Sequence, residues 1–168
     1  QLRAILRAGA RTEKLGIMFP MISSLDEFEA ARQAVYDAMA DLEREQLEHN
    51  ARPAIGTMIE MPSVLTIIDE LAAAADFFAI GTNDFIQYML AVDRTNENVS
   101  GYYQPFHPSI LRALARIVER VNLQAKPLSV CGETAHDPEF VYFLIGIGVR
   151  RLSVDPQFLP LVQRAIGA

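Results

Sequence analysis

Two carboxylates, one amide, one guanidinium and one thiol stand where the pattern of the chain lets them do chemistry. Glu60 closes the apolar run Ala54-Ile55-Gly56-Thr57-Met58-Ile59, and Asn83 and Asp84 close the run that starts at Phe77 and passes through Ile80 and Gly81. Cys131 closes a third, Leu128-Ser129-Val130. Each run is short and apolar with polar residues at its end, the pattern of a strand buried on both faces. In parallel α/β folds ligands gather at the carboxyl ends of strands, so the three runs bring these side chains to one rim.

Glu60 and Asp84, on neighbouring strand ends, can reach one point. Hard oxygen ligands of this kind suit Mg²⁺, which takes one or two carboxylates and completes its shell with water and substrate oxygens. Two other readings stay open. Asp84 would cap the helix expected over 85–91, with Gln87 completing the motif and Glu60 a solvated loop acid; or the two acids would exchange protons without a metal, which requires them to share a proton. Arg94 follows a few residues on, where a guanidinium can clamp a phosphate or carboxylate through two bonds, or pair on the surface with Asp93 or Glu97. Cys131 is either apolar filling or, facing the rim, a group able to move a proton. His49, His107 and His136 have no metal-binding spacing.

The elements that must position these groups alternate regularly. A helix over 1–10 is already under way at the first residue, which suggests a piece of a longer chain. Strands are expected at Leu15–Phe19, Ala54–Ile59, Phe77–Ile80, Leu128–Val130 and Arg151–Val154, with helices at 25–47, 63–74, 85–91, 108–124, 137–145 and after Asp155-Pro156. Ser24 with Glu27 reads as a capping box, and Asp137-Pro138 and Asp155-Pro156 as aspartate caps followed by proline. Residues 92–106 have no period and make a long connection, the kind that usually carries function. Five strands, each followed by a helix, specify parallel βα units. No glycine-rich dinucleotide fingerprint follows any strand, which favours a barrel over a doubly wound sheet. A complete (β/α)8 barrel needs roughly 250 residues, so a chain of 168 reads as about five consecutive units of a partial TIM barrel with the first strands missing.

Composition excludes several function classes. Lys+Arg 15 against Asp+Glu 21 gives a net charge of −6, and no basic stripe is present to hold nucleic acid or an anionic membrane. One cysteine allows no internal disulfide, and the lack of a signal-like start or a long apolar run points to a cytoplasmic protein.

Several stretches, in order and spanning nearly the whole chain, carry a more specific signal. They are Ile17-Met18-Phe19-Pro20-Met21, Gly56-Thr57-Met58-Ile59-Glu60-Met61-Pro62, Gly81-Thr82-Asn83-Asp84, Gln87 through Arg94, Tyr103-Gln104-Pro105 and Cys131-Gly132-Glu133. Together they resemble the carboxyl-terminal, phosphoenolpyruvate-binding barrel of enzyme I of the bacterial phosphotransferase system, the sugar-transport branch. The passage His107 through Leu114 resembles the nitrogen-related paralogue at least as closely. Pyruvate phosphate dikinase and phosphoenolpyruvate synthase share the Thr-Met-Ile-Glu, Gly-Thr-Asn-Asp and Cys-Gly-Glu elements. The resemblance implies Glu60 and Asp84 as ligands of Mg²⁺ and Asn83, Asp84 and Arg94 as substrate-binding, with Asn83 and Arg94 on the phosphate. It implies Cys131 as the acid that protonates the enolate to pyruvate. It implies transfer to a histidine on a separate amino-terminal domain, a phosphocarrier protein as the next acceptor, and a homodimer built on this barrel. The chain departs from the family at His136, where glycine is usual. Two other function classes stay open: a self-association module without substrate, and a lyase acting on pyruvate-like enolates, which would need neither Arg94 nor a histidine domain.

Overall fold

The computed structural model describes residues 1–167. Four strands, β1 (Gly16–Phe19), β2 (Ala54–Ile59), β3 (Phe78–Gly81) and β4 (Leu128–Cys131), form one sheet in the order β1-β2-β3-β4. All three pairings are parallel. Strand order that follows chain order, with right-handed crossovers, puts every connecting helix on one side of the sheet. That is barrel winding, and the strand order nowhere reverses as it would in a doubly wound sheet. The helices are α1 (Leu2–Ala8), α2 (Leu25–Arg44), α3 (Val64–Ala74), α4 (Thr82–Met89), α5 (Pro108–Leu123), α6 (Pro138–Gly146) and α7 (Leu159–Gly167). They pack in a row, α1 on α2, α2 on α3, α3 on α5 and α6 on α7.

The main core lies between sheet and helices, and a small second cluster of Val141, Val162 and Ala165 joins α6 to α7. Ile55, Ile59, Phe78, Ile80 and Val130 from the strands meet Phe28, Val35, Ile68, Leu71, Leu114 and Ile117 from the helices. β3 is buried along its whole length, which makes it the axis of the sheet. Burial of this apolar surface is the main force holding the arc together.

The expected fifth strand is a correction. Arg151–Val154 makes only a single bridge, Val130 with Leu152, held by Val130 N to Arg151 O at 3.0 Å and Ser153 N to Val130 O at 2.8 Å. Pro156 supplies no N–H, and Asp155 already accepts from Gln157 N at 3.1 Å to start a 3₁₀ turn, Pro156–Phe158, so pairing stops. Helix α2 ends at Arg44 rather than Leu47 because Gln46 takes a left-handed φ of 56° and Leu47 N turns back to Leu42 O. The capping box forms by halves. Ser24 Oγ accepts from Glu27 N, but the Glu27 carboxylate accepts from Ser23 N and Oγ. Asp137 caps α6 as expected. Among the described residues no helix is long and apolar enough to cross a membrane.

Candidate functional site

Residues from the carboxyl ends of β2, β3 and β4 meet at one rim. Glu60, just past β2, is 6% exposed and its Oε2 accepts from Met21 N at 2.9 Å. Met21 sits past the end of β1 with a left-handed φ of 59°, a backbone state uncommon for a side chain of its size. Burial pushes the Glu60 carboxyl above its ordinary range, the Met21 N–H draws it down, and the charge of Asp84 pushes it up again. The charge of Asp84 is therefore felt at Glu60 across the β2 and β3 ends. A Cβ built on Gly81 would lie 2.8 Å from Glu60 Cγ and Oε1, so Glu60 folds directly over the end of β3.

Helix α4 begins at Thr82, three residues earlier than the sequence suggested. Gly81, at φ −87° and ψ 88°, bends the backbone out of the strand. Thr82, fully buried, fixes the entry: its Oγ1 donates to Cys131 O at 2.8 Å and accepts from Thr134 Oγ1 at 2.8 Å. Asn83 and Asp84 thus stand in the first helical turn, where the unpaired N–H groups favour negative charge. The residue at the cap is Gly81, with no side-chain cap bond, so the reading of Asp84 as a helix cap does not hold.

Cys131 ends β4 half-buried, its Sγ donating to Ile80 O at 3.4 Å. Burial, and then the charge of Glu60, push its thiol above the ordinary range. It is therefore a thiol holding its proton at neutral pH, within the field of Glu60. Gly132 follows with φ +100°, and a Cβ there would lie 2.5 Å from Thr82 Oγ1 and 2.8 Å from Asn83 Oδ1. Only glycine lets β4 approach α4 this closely.

Arg94 pairs with neither Asp93 nor Glu97. Asp93 takes Thr95 N and Oγ1 at 2.9 and 2.7 Å, while Arg94 Nη1 donates to Glu133 Oε1 at 3.3 Å. The Arg94 N–H donates to Gln87 Oε1 at 3.2 Å, which ties the loop base to α4. The aperiodic stretch 92–106 is built of local turns at Asp93 and Asn96 and a 3₁₀ turn, Ser100–Tyr102. It returns through Tyr103, whose hydroxyl donates to Asn83 O at 3.5 Å. Burial first, then Glu133, push the Tyr103 phenol up to about 12. Arg94, Ser100, Tyr103 and Glu133 line a pocket of about 250 Å³. A cleft of about 660 Å³ shares Tyr103 and Glu133 and runs on to His136 and Asp137. A separate cavity of about 500 Å³ lies at the opposite end of the sheet, between strand starts such as Gly16, Ala54 and Leu128, away from every acid of the rim.

All five residues singled out from sequence, Glu60, Asn83, Asp84, Arg94 and Cys131, therefore belong to one rim. Sequence reasoning missed Glu133, Tyr103 and Met21 as members of it. Glu133 follows Cys131-Gly132, and Tyr103 closes the long loop, so both had a positional signal; Met21 acts through its backbone and had none. Among the histidines, His136 lines the cleft beside the rim, and the buried His49 Nε2 has no partner among the described residues. His49 Nδ1 lies 2.9 Å from Leu47 O, His107 caps α5, and His136 stacks on Phe158 with ring centres 3.9 Å apart.

A monotonic parallel sheet with acids, an amide and a thiol gathered at one end of its strands defines a barrel-type α/β protein of the kind used by enzymes. The solved structures it resembles agree in fold. A citrate lyase from Burkholderia xenovorans LB400 superposes with a TM-score of 0.71 at 21% identity, over 98% of this chain and 52% of that one. A pyruvate kinase from Cryptosporidium parvum gives 0.68 at 12% identity, over 98% and 34%. Sequence narrows the class to a family: the chain belongs to the family described as PEP-utilising enzyme, PEP-binding domain, which it matches over residues 1–168. It is 44% identical over 155 residues to the phosphoenolpyruvate-dependent phosphotransferase system protein of Escherichia coli strain K12, covering 92% of this chain and 21% of that protein. It is 40% identical over 166 residues to the phosphoenolpyruvate-protein phosphotransferase of Staphylococcus epidermidis, covering 99% and 29%. The chain thus spans less than a third of the length of these relatives.

Proposed function

We propose that the full-length protein is a cytoplasmic phosphoenolpyruvate-protein phosphotransferase, and that this chain is the carboxyl-terminal part of its substrate barrel. The observation that carries this reading is the convergence of Glu60, Asp84 and Cys131 at three adjacent strand ends, with Asn83 and Arg94 joined through Glu133. Relatives bearing that name match across nearly all of the chain.

The donor set fits Mg²⁺. Glu60 is buried with its carboxyl raised, and part of that rise comes from the like charge of Asp84. A divalent cation between them would offset both the burial and the repulsion. Among the described residues no group of three or more His, Cys, Asp or Glu could hold a metal, and a pair of carboxylates with the rest of the shell left to water and substrate is what Mg²⁺ uses. Bound there, Mg²⁺ would offset the charge of the transferring phosphoryl group and polarise the oxygen it leaves.

The chain's own residues supply the remainder. Arg94 and Asn83 bind the phosphate, the first through charge and the second through its amide N–H groups. The P–O bond of phosphoenolpyruvate breaks as the phosphoryl group forms a P–N bond to a histidine of another domain of the full-length protein. The electron pair stays on the enolate, whose methylene carbon takes the thiol proton of Cys131 to give pyruvate. The phosphorylated imidazole releases its ring N–H proton to solvent, and solvent returns one proton to the thiolate, so the step is proton-neutral. A thiol kept protonated by burial and by Glu60 is suited to that step. The phosphohistidine domain would pass the group to a phosphocarrier protein in a sugar-transport or nitrogen-regulatory relay.

A second reading, confined to this chain taken alone, is self-association through its sheet edge, which an upstream strand would cover in a complete barrel. β1 pairs on one side only, and unpaired strand edges are ready templates for association. Isothermal titration of phosphoenolpyruvate with Mg²⁺ into this chain tests the main reading. Saturable binding supports it; association without binding assigns only the interaction role to this chain taken alone, and the same titration of the full-length protein then decides the main reading.

A further inference from the structure

Glu133 touches both groups assigned to the phosphate. Its backbone N donates to Asn83 Oδ1 at 2.8 Å, and its Oε1 accepts from Arg94 Nη1 at 3.3 Å. The first contact is rigid, because Gly132 presses against Asn83 and Thr82 with no room for a Cβ. It also turns the Asn83 amide so that Oδ1 is occupied and the Nδ2 donors are left for a ligand. The second contact is of another kind. The Glu133 side chain is 67% exposed and that of Arg94 32%, and only one guanidinium nitrogen is engaged. Two arginine pairs elsewhere are short and double: Arg120 holds Asp69 at 2.6 and 2.7 Å, and Arg3 holds Glu45 at 2.8 and 2.7 Å, whereas Arg11 with Glu48, Arg32 with Glu29 and Arg44 with Asp41 are single contacts. The Arg94 pair is a single, long bond from a part-buried guanidinium to an exposed carboxylate, and a contact screened by solvent on one side contributes little.

We propose that the Glu133 carboxylate is a displaceable counter-ion for Arg94. It holds the guanidinium at the rim when no anion is bound and is exchanged for the phosphate of phosphoenolpyruvate. This rests on the reading that Arg94 binds that phosphate. A phosphate offers the guanidinium two parallel charged bonds where Glu133 offers one, and the two anions repel each other if both stay. The carboxylate has somewhere to go, since the adjoining cleft of about 660 Å³ lies on its other side. The backbone anchor to Asn83 does not move in the exchange, so the amide stays oriented while only the side chain swings.

The exchange is tested in the full-length protein by equilibrium titration of phosphoenolpyruvate with Mg²⁺, together with steady-state pyruvate release. Glu133→Gln keeps the backbone N–H and removes the competing charge. Its Kd and KM for phosphoenolpyruvate should fall by about two- to five-fold, the range an exposed ion pair contributes, with the change carried in KM more than in kcat. Arg94→Gln should weaken binding by at least about tenfold, and adding Glu133→Gln to it should produce no further tightening. Unchanged or weaker binding by Glu133→Gln, or equal tightening with and without Arg94, would overturn the exchange while leaving the phosphate assignment standing. Unchanged binding by Arg94→Gln would instead remove the phosphate assignment, and the exchange with it.

Discussion

In the proposed function Asp84 is the residue on which the chemistry turns, and the structure gives it no part in capping its helix. Asp84→Asn keeps size and helix and removes the charge, so phosphoryl transfer by the full-length protein should fall by about 100-fold or more. Near-normal pyruvate release by that variant would remove the metal assignment. Cys131→Ala should slow pyruvate formation by about 100-fold while titrated phosphoenolpyruvate binding stays nearly unchanged; an equal rate returns the cysteine to apolar filling. Glu60 makes a prediction about stability. Its carboxyl is raised in the fold, so its favourable contribution is fully present below the unperturbed value of 4.5 and is lost as pH rises through the folded value. At neutral pH, without metal, the buried anion opposes folding. Glu60→Gln should therefore melt higher than wild type at pH 7 in chelator, the gap closing below about pH 4.5, and Mg²⁺ should raise only the wild type. These acids and the thiol were readable from sequence because a strand end is a local pattern. The partner of Arg94 was not, since Glu133 lies 39 residues further on and only the sheet brings it back.

The elements that set the rim are the strand-to-helix turns after β3 and β4. Sequence located both turns but began α4 at Phe85, because Gly81-Thr82-Asn83-Asp84 has the composition of a loop. What makes Thr82 helical is tertiary: its hydroxyl is bonded to Cys131 O and Thr134 Oγ1, 49 and 52 residues away. The length of the loop after α4 marked it as a candidate for function, but its return through Tyr103 was invisible to periodicity. Gly132 tests this element directly. Gly132→Ala places a Cβ at a left-handed φ and against Thr82 and Asn83, so it should destabilise by about 1–3 kcal/mol in chemical denaturation and weaken substrate binding. Gly101→Ala, where nothing lies within 4 Å of the added carbon, should be nearly neutral. Equal effects at the two positions would mean that the close approach of β4 to α4 is not needed.

At the scale of the molecule, alternation of strand and helix was enough to read a parallel barrel arc, and four of its strands stand within a residue or so of where the apolar runs placed them. The fifth, at Arg151–Val154, failed because an apolar run supplies strand propensity but not a second pairing partner, and Pro156 closes off the donors. The same open geometry leaves the acids at one end of the sheet and a cavity of about 500 Å³ at the other, so the account requires that substrate enter from the Glu60 and Asp84 end. The most direct test is an anomalous difference map from crystals of the full-length protein soaked with Mn²⁺, as a stand-in for Mg²⁺, and phosphoenolpyruvate. One peak is expected within coordination distance of carboxylate oxygens of both Glu60 and Asp84, with the phosphate against Arg94. A peak bound by only one of the two acids, or by neither, would contradict the metal assignment.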